Sequence, residues 1–209
     1  MAGKTQDQRF DPSAFAFFDP DKSARFGLKI LAKSGARFAL AGRIAVWAYV
    51  PPNRQVNTKD VDFAVPHDDM PAVLKAARAC GKPFRSLEIG GIAFRLEDIW
   101  VDFIDRHPDL GRLFSAAVAA ANEAEPRMRL GGRRVPVVPK EFLIAMKIAT
   151  MQEKDDRDAE SLILSVPDQE YPKLRSLVRK YLGPVGALRL DDLARKAGHP
   201  GPGKKPYYG

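Results

Sequence analysis

Cysteine, histidine and long apolar runs are scarce in this sequence. The 209 residues include a single cysteine, Cys80, so no disulfide can form within the chain, and a cytoplasmic setting is expected. No stretch approaches the ~20 apolar residues that a membrane helix needs. The apolar run at residues 15–18 is too short for a signal peptide. The cysteine and histidine residues show no zinc-type spacing.

Basic residues, in contrast, are in excess. The chain has 34 Lys and Arg against 26 Asp and Glu, which gives a net charge of +8. Such a balance suits a polyanionic partner such as a nucleotide or RNA. Apolar residues make up 45% of the chain, enough for a buried core, and the length fits one domain with or without an appendage.

The pattern of helices, strands and breakers predicts an α/β (α+β) organisation in four parts. We expect an N-terminal arm at residues 1–20, a core domain at 21–138, a helical region at 139–197 and a flexible tail at 198–209. A two-residue hairpin turn is predicted at Gly90-Gly91 and a basic hairpin at 127–138. A long helix is predicted from Lys140, followed by helices at 168–182 and 190–197.

The stretch from Thr58 to Val65 carries the first candidate site. Asp60 and Asp62 alternate with apolar residues, and in a β-strand residues i and i+2 point to the same face. The two carboxylates would therefore lie side by side and raise each other's pKa. A divalent cation such as Mg²⁺ would stabilise the pair, whereas a solvated, purely structural pair is the alternative.

A glycine turn precedes this strand in the sequence, and a second strand with aspartates follows it. Before it, a short strand ends at Gly42, where the start of a helix would favour bound phosphate. After it, the alternating strand at 99–105 carries Asp102 on one face and Asp105 on the other. Three carboxylates on neighbouring strands suit two-metal phosphoryl transfer. We favour Asp102 as the third carboxylate because it is central in its strand.

These segments together resemble the nucleotidyltransferase superfamily, which has a DNA polymerase beta-like fold. The resemblance rests on Ala41-Gly42-Arg43-Ile44-Ala45, on Thr58 to Phe63 and on Val101-Asp102-Phe103. The segments at 139–147 and 154–162 resemble the later helix of the AbiEii-type branch, which includes toxins of bacterial toxin–antitoxin pairs. The resemblance covers roughly residues 25–165. It implies a mixed sheet with flanking helices and a helical C-terminal portion.

The resemblance also implies roles for individual residues. Asp60 and Asp62 would bind two Mg²⁺ ions, and Asp102 would complete the metal site and orient or deprotonate the acceptor hydroxyl. Lys147 would contact the phosphates of an NTP, and Asp158 would be a polar partner near the nucleotide or the acceptor. The two residues share one helix face if that helix is continuous. Gly42, Arg43 and Thr58 would line the nucleotide site. A Lys147 that only covers apolar surface is the structural alternative.

Arg43 departs from the family pattern, which has a small residue at this position. Arg43 could supply a cation to the phosphates or block them. Three functions are therefore open. The first is an Mg²⁺-dependent enzyme that transfers a nucleotide to a hydroxyl. The net charge and the basic hairpin favour RNA such as tRNA over an aminoglycoside-type acceptor, and an antitoxin protein is a further expected partner. The second is a catalytically degenerate binding module, either antitoxin-like or a nucleic-acid-binding protein. The third is a nucleotide-binding regulator without transfer.

Overall fold

The computed structural model describes residues 20–124 and 128–201. The predicted arm, apart from Pro20, lies outside the described residues, and so does the predicted tail from residue 202 onward. The chain forms two compact units. The first comprises residues up to Ala48 together with 56–138, and the second comprises residues 49–55 and those from Pro139 onward. The four-part division stays a prediction.

The first unit is built around a mixed sheet, as the resemblance implies. Its elements are α1 (Pro20–Ser34), β1 (Ala39–Leu40), α2 (Gly42–Val46), β2 (Asp60–Ala64), α3 (Met70–Ala79), β3 (Arg85–Ser86), β4 (Ile92–Leu96), β5 (Ile99–Ile104), α4 (Gly111–Glu123), β6 (Met128–Leu130) and β7 (Arg133–Val135). The sheet order is β1-β2-β5-β4-β3, with β2 and β5 parallel and the other neighbours antiparallel. A separate hairpin, β6-β7, confirms the one predicted at 127–138.

The alternation in β2 and β5 separates a core face from a polar face. Val61, Phe63, Val101 and Phe103 are all fully buried on the core face, and each contributes roughly 1.5–3 kcal/mol by leaving water. Helix α1 covers this face at close range, because a Cβ at Gly27 would lie 2.5 Å from the Phe63 ring. The polar residues between them therefore point to the opposite side of the sheet.

The turn between β3 and β4 differs from the prediction. Ser86 is paired with Ile92, so the connecting loop spans residues 87–91, and the Leu87 N–H donates to the Gly91 carbonyl at 3.0 Å. The predicted two-residue turn at Gly90-Gly91 is therefore wrong. Both glycines are needed in the longer loop, where each has a positive φ.

The second unit is helical, with α5 (Lys140–Thr150), α6 (Glu153–Ile163) and α7 (Tyr171–Ala197). The predicted long helix from Lys140 is broken at Met151, whose φ of 56° is left-handed. The two predicted C-terminal helices form one helical run that departs from helical geometry at Gly183, just before Pro184. Among the described residues, no helix has both the length and the apolar character that a membrane span requires.

Candidate active site

Asp62 and Asp102 are direct neighbours across two paired strands. The parallel register of β2 and β5 pairs Asp62 with Asp102 and Asp60 with Trp100. Because residues in register share a face, the three carboxylates of Asp60, Asp62 and Asp102 lie on one side of the sheet. All three residues are partly exposed. The structure thus brings together the three residues predicted to be catalytic.

The charges on this face act strongly on Asp102. The pKa of Asp102 is raised from 3.8 to about 7, first by burial and then by the carboxylates of Asp62 and Asp60, while Arg85 opposes the rise. The Oδ1 atom of Asp102 is buried and accepts no hydrogen bond from the described residues. A buried carboxylate oxygen without a donor is costly and is therefore available to a cation or to a substrate hydroxyl.

The turn at Gly42 lies against the carboxylate of Asp62. The Ala41 N–H donates to the Asp62 carbonyl at 2.8 Å, and α2 begins at the next residue. Gly42 has a φ of 61°, and a Cβ placed there would come within 1.7 Å of Asp62 Oδ2. Only glycine fits, because both the backbone conformation and the space exclude a side chain. The predicted phosphate turn and the predicted metal ligand are therefore in direct contact.

We expect Gly42→Ala to displace the Asp62 side chain and to remove any stabilisation of the protein by Mg²⁺ and NTP. The backbone strain alone should cost about 1–3 kcal/mol. Melting temperatures with and without Mg²⁺ and NTP measure both effects.

Gly35→Ala is the matched control for that substitution. Gly35 also has a positive φ, of 68°, but a Cβ at this position would have no described atom within 4 Å. The control should therefore show the strain without the loss of the ligand response. An equal loss in both variants would contradict a role for the Gly42–Asp62 contact.

Thr58 and Arg43 hold the loop that leads into β2. The Thr58 hydroxyl accepts a hydrogen bond from the Asp60 N–H at 3.3 Å, so it fixes the start of the strand. The Arg43 guanidinium donates to the Asn57 carbonyl at 3.3 Å. Their predicted contacts with a nucleotide stay predictions.

Lys147 and Asp158 meet in the second unit, although the helix between them is broken. Lys147 Nζ lies 2.6 Å from Asp155 Oδ1 and 2.8 Å from Asp158 Oδ2, and all three residues are buried. Burial alone would lower the pKa of Lys147, but Asp158 and Asp155 outweigh it and raise the pKa. Lys147 and Asp158 thus form an ion pair, and their contact with a nucleotide stays a prediction.

Asp105 lies in a different environment from Asp102. It is 4% exposed, and its Oδ2 is 2.8 Å from His67 Nδ1. The ring of His107 stacks on that of His67 with a centroid distance of 3.7 Å. Asp105 therefore belongs to a histidine cluster at the end of β5, and it is Asp102 that stands in register with Asp62.

The donor chemistry of the three carboxylates fits a divalent cation. Hard oxygen ligands are those that Mg²⁺ prefers, and Asp102 Oδ1 receives no hydrogen bond from the part of the chain that the structure describes. Within the described ranges, however, no three Asp, Glu, His or Cys side chains are placed so that they could hold an ion. The site thus has the ligand set of a metal centre without a defined coordination geometry.

Sequence reasoning missed Arg85, a cation that acts on Asp102. Arg85 stands opposite Ala93 on β4, and Ala93 stands opposite Asp102 on β5. The sequence shows which residues within each strand share a face. It did not show how the three strands are aligned, because the length of the turn between β3 and β4 was misjudged.

The first unit thus carries three carboxylates beside a glycine turn on one mixed sheet. Scans against protein-family models and against curated proteins give no match. Among solved structures, the solution structure of the antibiotic-resistance factor ANT(2'')-Ia is similar, with 18% identity, 80% of this chain and 96% of that chain covered and a TM-score of 0.51. The chain therefore has a nucleotidyltransferase-type fold, and this prediction is confirmed.

Two further structures are similar at lower scores. A crystal structure of ANT(2'')-Ia in complex with adenylyl-2''-tobramycin is 14% identical, covers 85% of this chain and 96% of that chain and has a TM-score of 0.45. A crystal structure of an antigenic nucleotidyltransferase-like protein from Paracoccidioides brasiliensis is 15% identical and has a TM-score of 0.43. The match covers 82% of this chain and 92% of that chain. The AbiEii-type branch stays a prediction.

Proposed function

We propose that this protein is an Mg²⁺-dependent nucleotidyltransferase that moves a nucleoside monophosphate from an NTP to an acceptor hydroxyl. The observation that carries the proposal is the register of Asp62 with Asp102, whose buried Oδ1 has no hydrogen-bond partner among the described residues. Carboxylates that share one face repel one another, and this repulsion is costly unless they serve a cation or a proton transfer. The fold supports the same class of reaction.

Each carboxylate has a role in this reaction. Asp60 and Asp62 would hold Mg²⁺, which when bound neutralises the charge of the phosphates. Asp102 accepts the proton of the acceptor hydroxyl as its oxygen bonds to the α-phosphorus and pyrophosphate leaves. A pKa of about 7 suits a general base near neutral pH. The Gly42 turn lets the backbone approach the phosphates.

We further propose RNA, such as tRNA, as the acceptor. The net charge of +8 and the exposed arginines of the β6-β7 hairpin favour a polyanion over a cationic antibiotic. A cytoplasmic location rests on the single cysteine, and a toxin role with an antitoxin partner rests on the sequence resemblance alone.

A transfer assay tests the proposal directly. The protein is incubated with each labelled NTP, Mg²⁺ and total tRNA, next to an Asp60→Ala/Asp62→Ala variant. We expect label on the RNA only with the unmodified protein. The proposal is refuted if no label is transferred and if, in addition, none of the NTPs changes the melting temperature in the presence of Mg²⁺.

A catalytically degenerate binding module is the second candidate. Two observations favour it: Arg43 occupies the position of a small residue, and the carboxylates of the described residues are not placed to enclose an ion. An Arg43→Ser variant shows whether the Arg43 guanidinium blocks the phosphates of the NTP or binds them. NTP affinity should rise if the guanidinium blocks the phosphates, and fall if it binds them.

A further inference from the structure

Two arginines and a tryptophan form a stack beside the three carboxylates. The guanidinium carbons of Arg85 and Arg95 lie 4.0 and 5.9 Å from the centroid of the Trp100 ring. Both arginines are exposed and Trp100 is partly exposed. Arg95 also lies 3.9 Å from Asp98, whose side chain is 90% exposed, and such a pair is weak in water. We name this group the Arg85–Trp100–Arg95 stack.

The strand register places this stack on the face of the carboxylates. Trp100 is opposite Asp60 on one side and Arg95 on the other. Arg85 belongs to the row of Asp102, with Ala93 between them. Residues in register share a face, and the methyl group of an alanine leaves room for a long side chain to cross it. A cationic, aromatic surface is therefore continuous with the acidic centre.

The sheet order separates the two sides of this centre. The Gly42 turn follows β1 and contacts Asp62 on β2. Trp100 lies on β5, the strand of Asp102, and the two arginines lie on β4 and β3, the strands beyond it. If the phosphates of the NTP lie at the Gly42 turn, as proposed above, a second substrate approaches Asp102 from the side of the stack. The stack is then placed to bind the acceptor.

The chemistry of the stack selects the kind of acceptor. Guanidinium groups bind phosphate oxygens with paired hydrogen bonds, and a tryptophan ring stacks on a nucleobase. A polycationic acceptor would meet two positive charges at this point. In single-stranded RNA, by contrast, phosphates and unpaired bases alternate along the chain, as the two arginines alternate here with an aromatic ring.

We propose that the Arg85–Trp100–Arg95 stack binds the free end of a single-stranded RNA and presents its terminal hydroxyl to Asp102. The identification of this RNA as the acceptor rests on the proposed function, whereas the binding itself does not. Binding is therefore measured with EDTA and without NTP, so that it is independent of transfer.

The probe is a labelled single-stranded RNA of about 12 nucleotides, within the range that single-strand sites cover. Trp100→Leu keeps apolar bulk but loses the stacking face, and should weaken binding by about tenfold or more. Trp100→Phe should retain most of the affinity. RNA should quench the emission of Trp100, since the only other tryptophan, Trp47, is 3% exposed.

The charge contribution has its own matched control. Arg85→Ala/Arg95→Ala should reduce the slope of log affinity against log salt by about 1.4, at about 0.7 for each phosphate contact with a single strand. Lys75→Ala/Arg78→Ala removes two exposed cations from α3 and should leave the Trp100 quenching intact. Melting curves confirm that each variant is folded.

The proposal is overturned if Trp100→Leu binds RNA like the unmodified protein, or if the α3 variant loses as much affinity as the stack variant. Equal affinity for DNA of the same sequence would overturn the choice of RNA. If no RNA binds while NTP and Mg²⁺ still raise the melting temperature, the stack is not an RNA site and the proposed transferase activity stands.

Discussion

Asp102→Asn should abolish nucleotidyl transfer, because it removes the group that accepts the proton of the acceptor hydroxyl. Loss of a general base lowers the rate by roughly 10²–10⁴-fold. Asparagine has nearly the same shape as aspartate, so the sheet and the pairing with Asp62 should persist. The rate of transfer to RNA at saturating NTP is the measurement, and binding of NTP should change far less than the rate.

The same substitution should stabilise the metal-free protein at high pH. The pKa of Asp102 is raised from 3.8 to about 7. Between these values the unfolded chain has lost the proton and the folded chain has kept it, so stability falls as the pH rises through this window. Asparagine does not ionise. The variant should therefore gain about 2 kcal/mol at pH 8, allowing for screening by solvent.

Urea unfolding in EDTA at pH 4 and pH 8 measures this effect. The two proteins should be of similar stability at pH 4 and should diverge at pH 8. Asp98→Asn removes a carboxylate that is 90% exposed in the neighbouring turn and should change neither value. A variant that is less stable than the unmodified protein at pH 8 would contradict the repulsion among the carboxylates.

Lys147→Met should cause the largest loss of stability, about 3–5 kcal/mol at pH 7. Methionine fills a similar volume, but it leaves Asp155 and Asp158 buried without their cation. Uncompensated buried carboxylates are strongly unfavourable. Changing both to asparagine in the same protein removes the charges and should restore much of the loss.

The pH dependence of this ion pair has the opposite sign to that of Asp102. Burial alone would raise the pKa of Asp155, but Lys147 and the Thr150 hydroxyl outweigh it and lower the pKa below 3.8. The pair therefore adds stability above that value and loses it as the pH falls through the folded-state pKa. The unmodified protein and Lys147→Met should thus converge in stability at acid pH.

Arg157→Met is the control for Lys147→Met. Arg157 pairs with Glu153 on the surface of α6, where both side chains are largely exposed, and such pairs contribute only about 0–1 kcal/mol. Unfolding in urea at pH 7 and pH 3 compares the three proteins. Similar small losses in both variants would refute a tightly coupled, buried ion pair.

The sequence predicts the part of the site that depends on local periodicity. Alternation alone places Asp60 with Asp62, separates Asp102 from Asp105 and assigns Val61 and Phe63 to the core. These inferences need no knowledge of distant contacts, because a strand has a period of two wherever it lies. The mixed sheet, in contrast, is expected from the family resemblance, because a period of two does not show the direction in which strands run.

Long-range register and helix breaks could not be predicted in the same way. The stack on Trp100 depends on how three strands are aligned, and a misjudged turn length shifts that alignment. The break at Met151 has no glycine or proline to signal it. The Thr150 hydroxyl instead bonds Asp155 Oδ2 at 2.8 Å, so a side-chain contact holds the new helix start. At Gly183-Pro184 the sequence predicts a break between two helices, but only Gly183 departs from helical geometry and the helix continues beyond it.

The parallel pairing of β2 with β5 also bears on the order of events during folding. These strands are joined through α3, β3 and β4, so their alignment requires closure of a long stretch of chain. The repulsion between Asp62 and Asp102 begins only when the strands align. The charges that would serve catalysis therefore oppose the step that completes the sheet, and a bound cation would favour assembly by mass action.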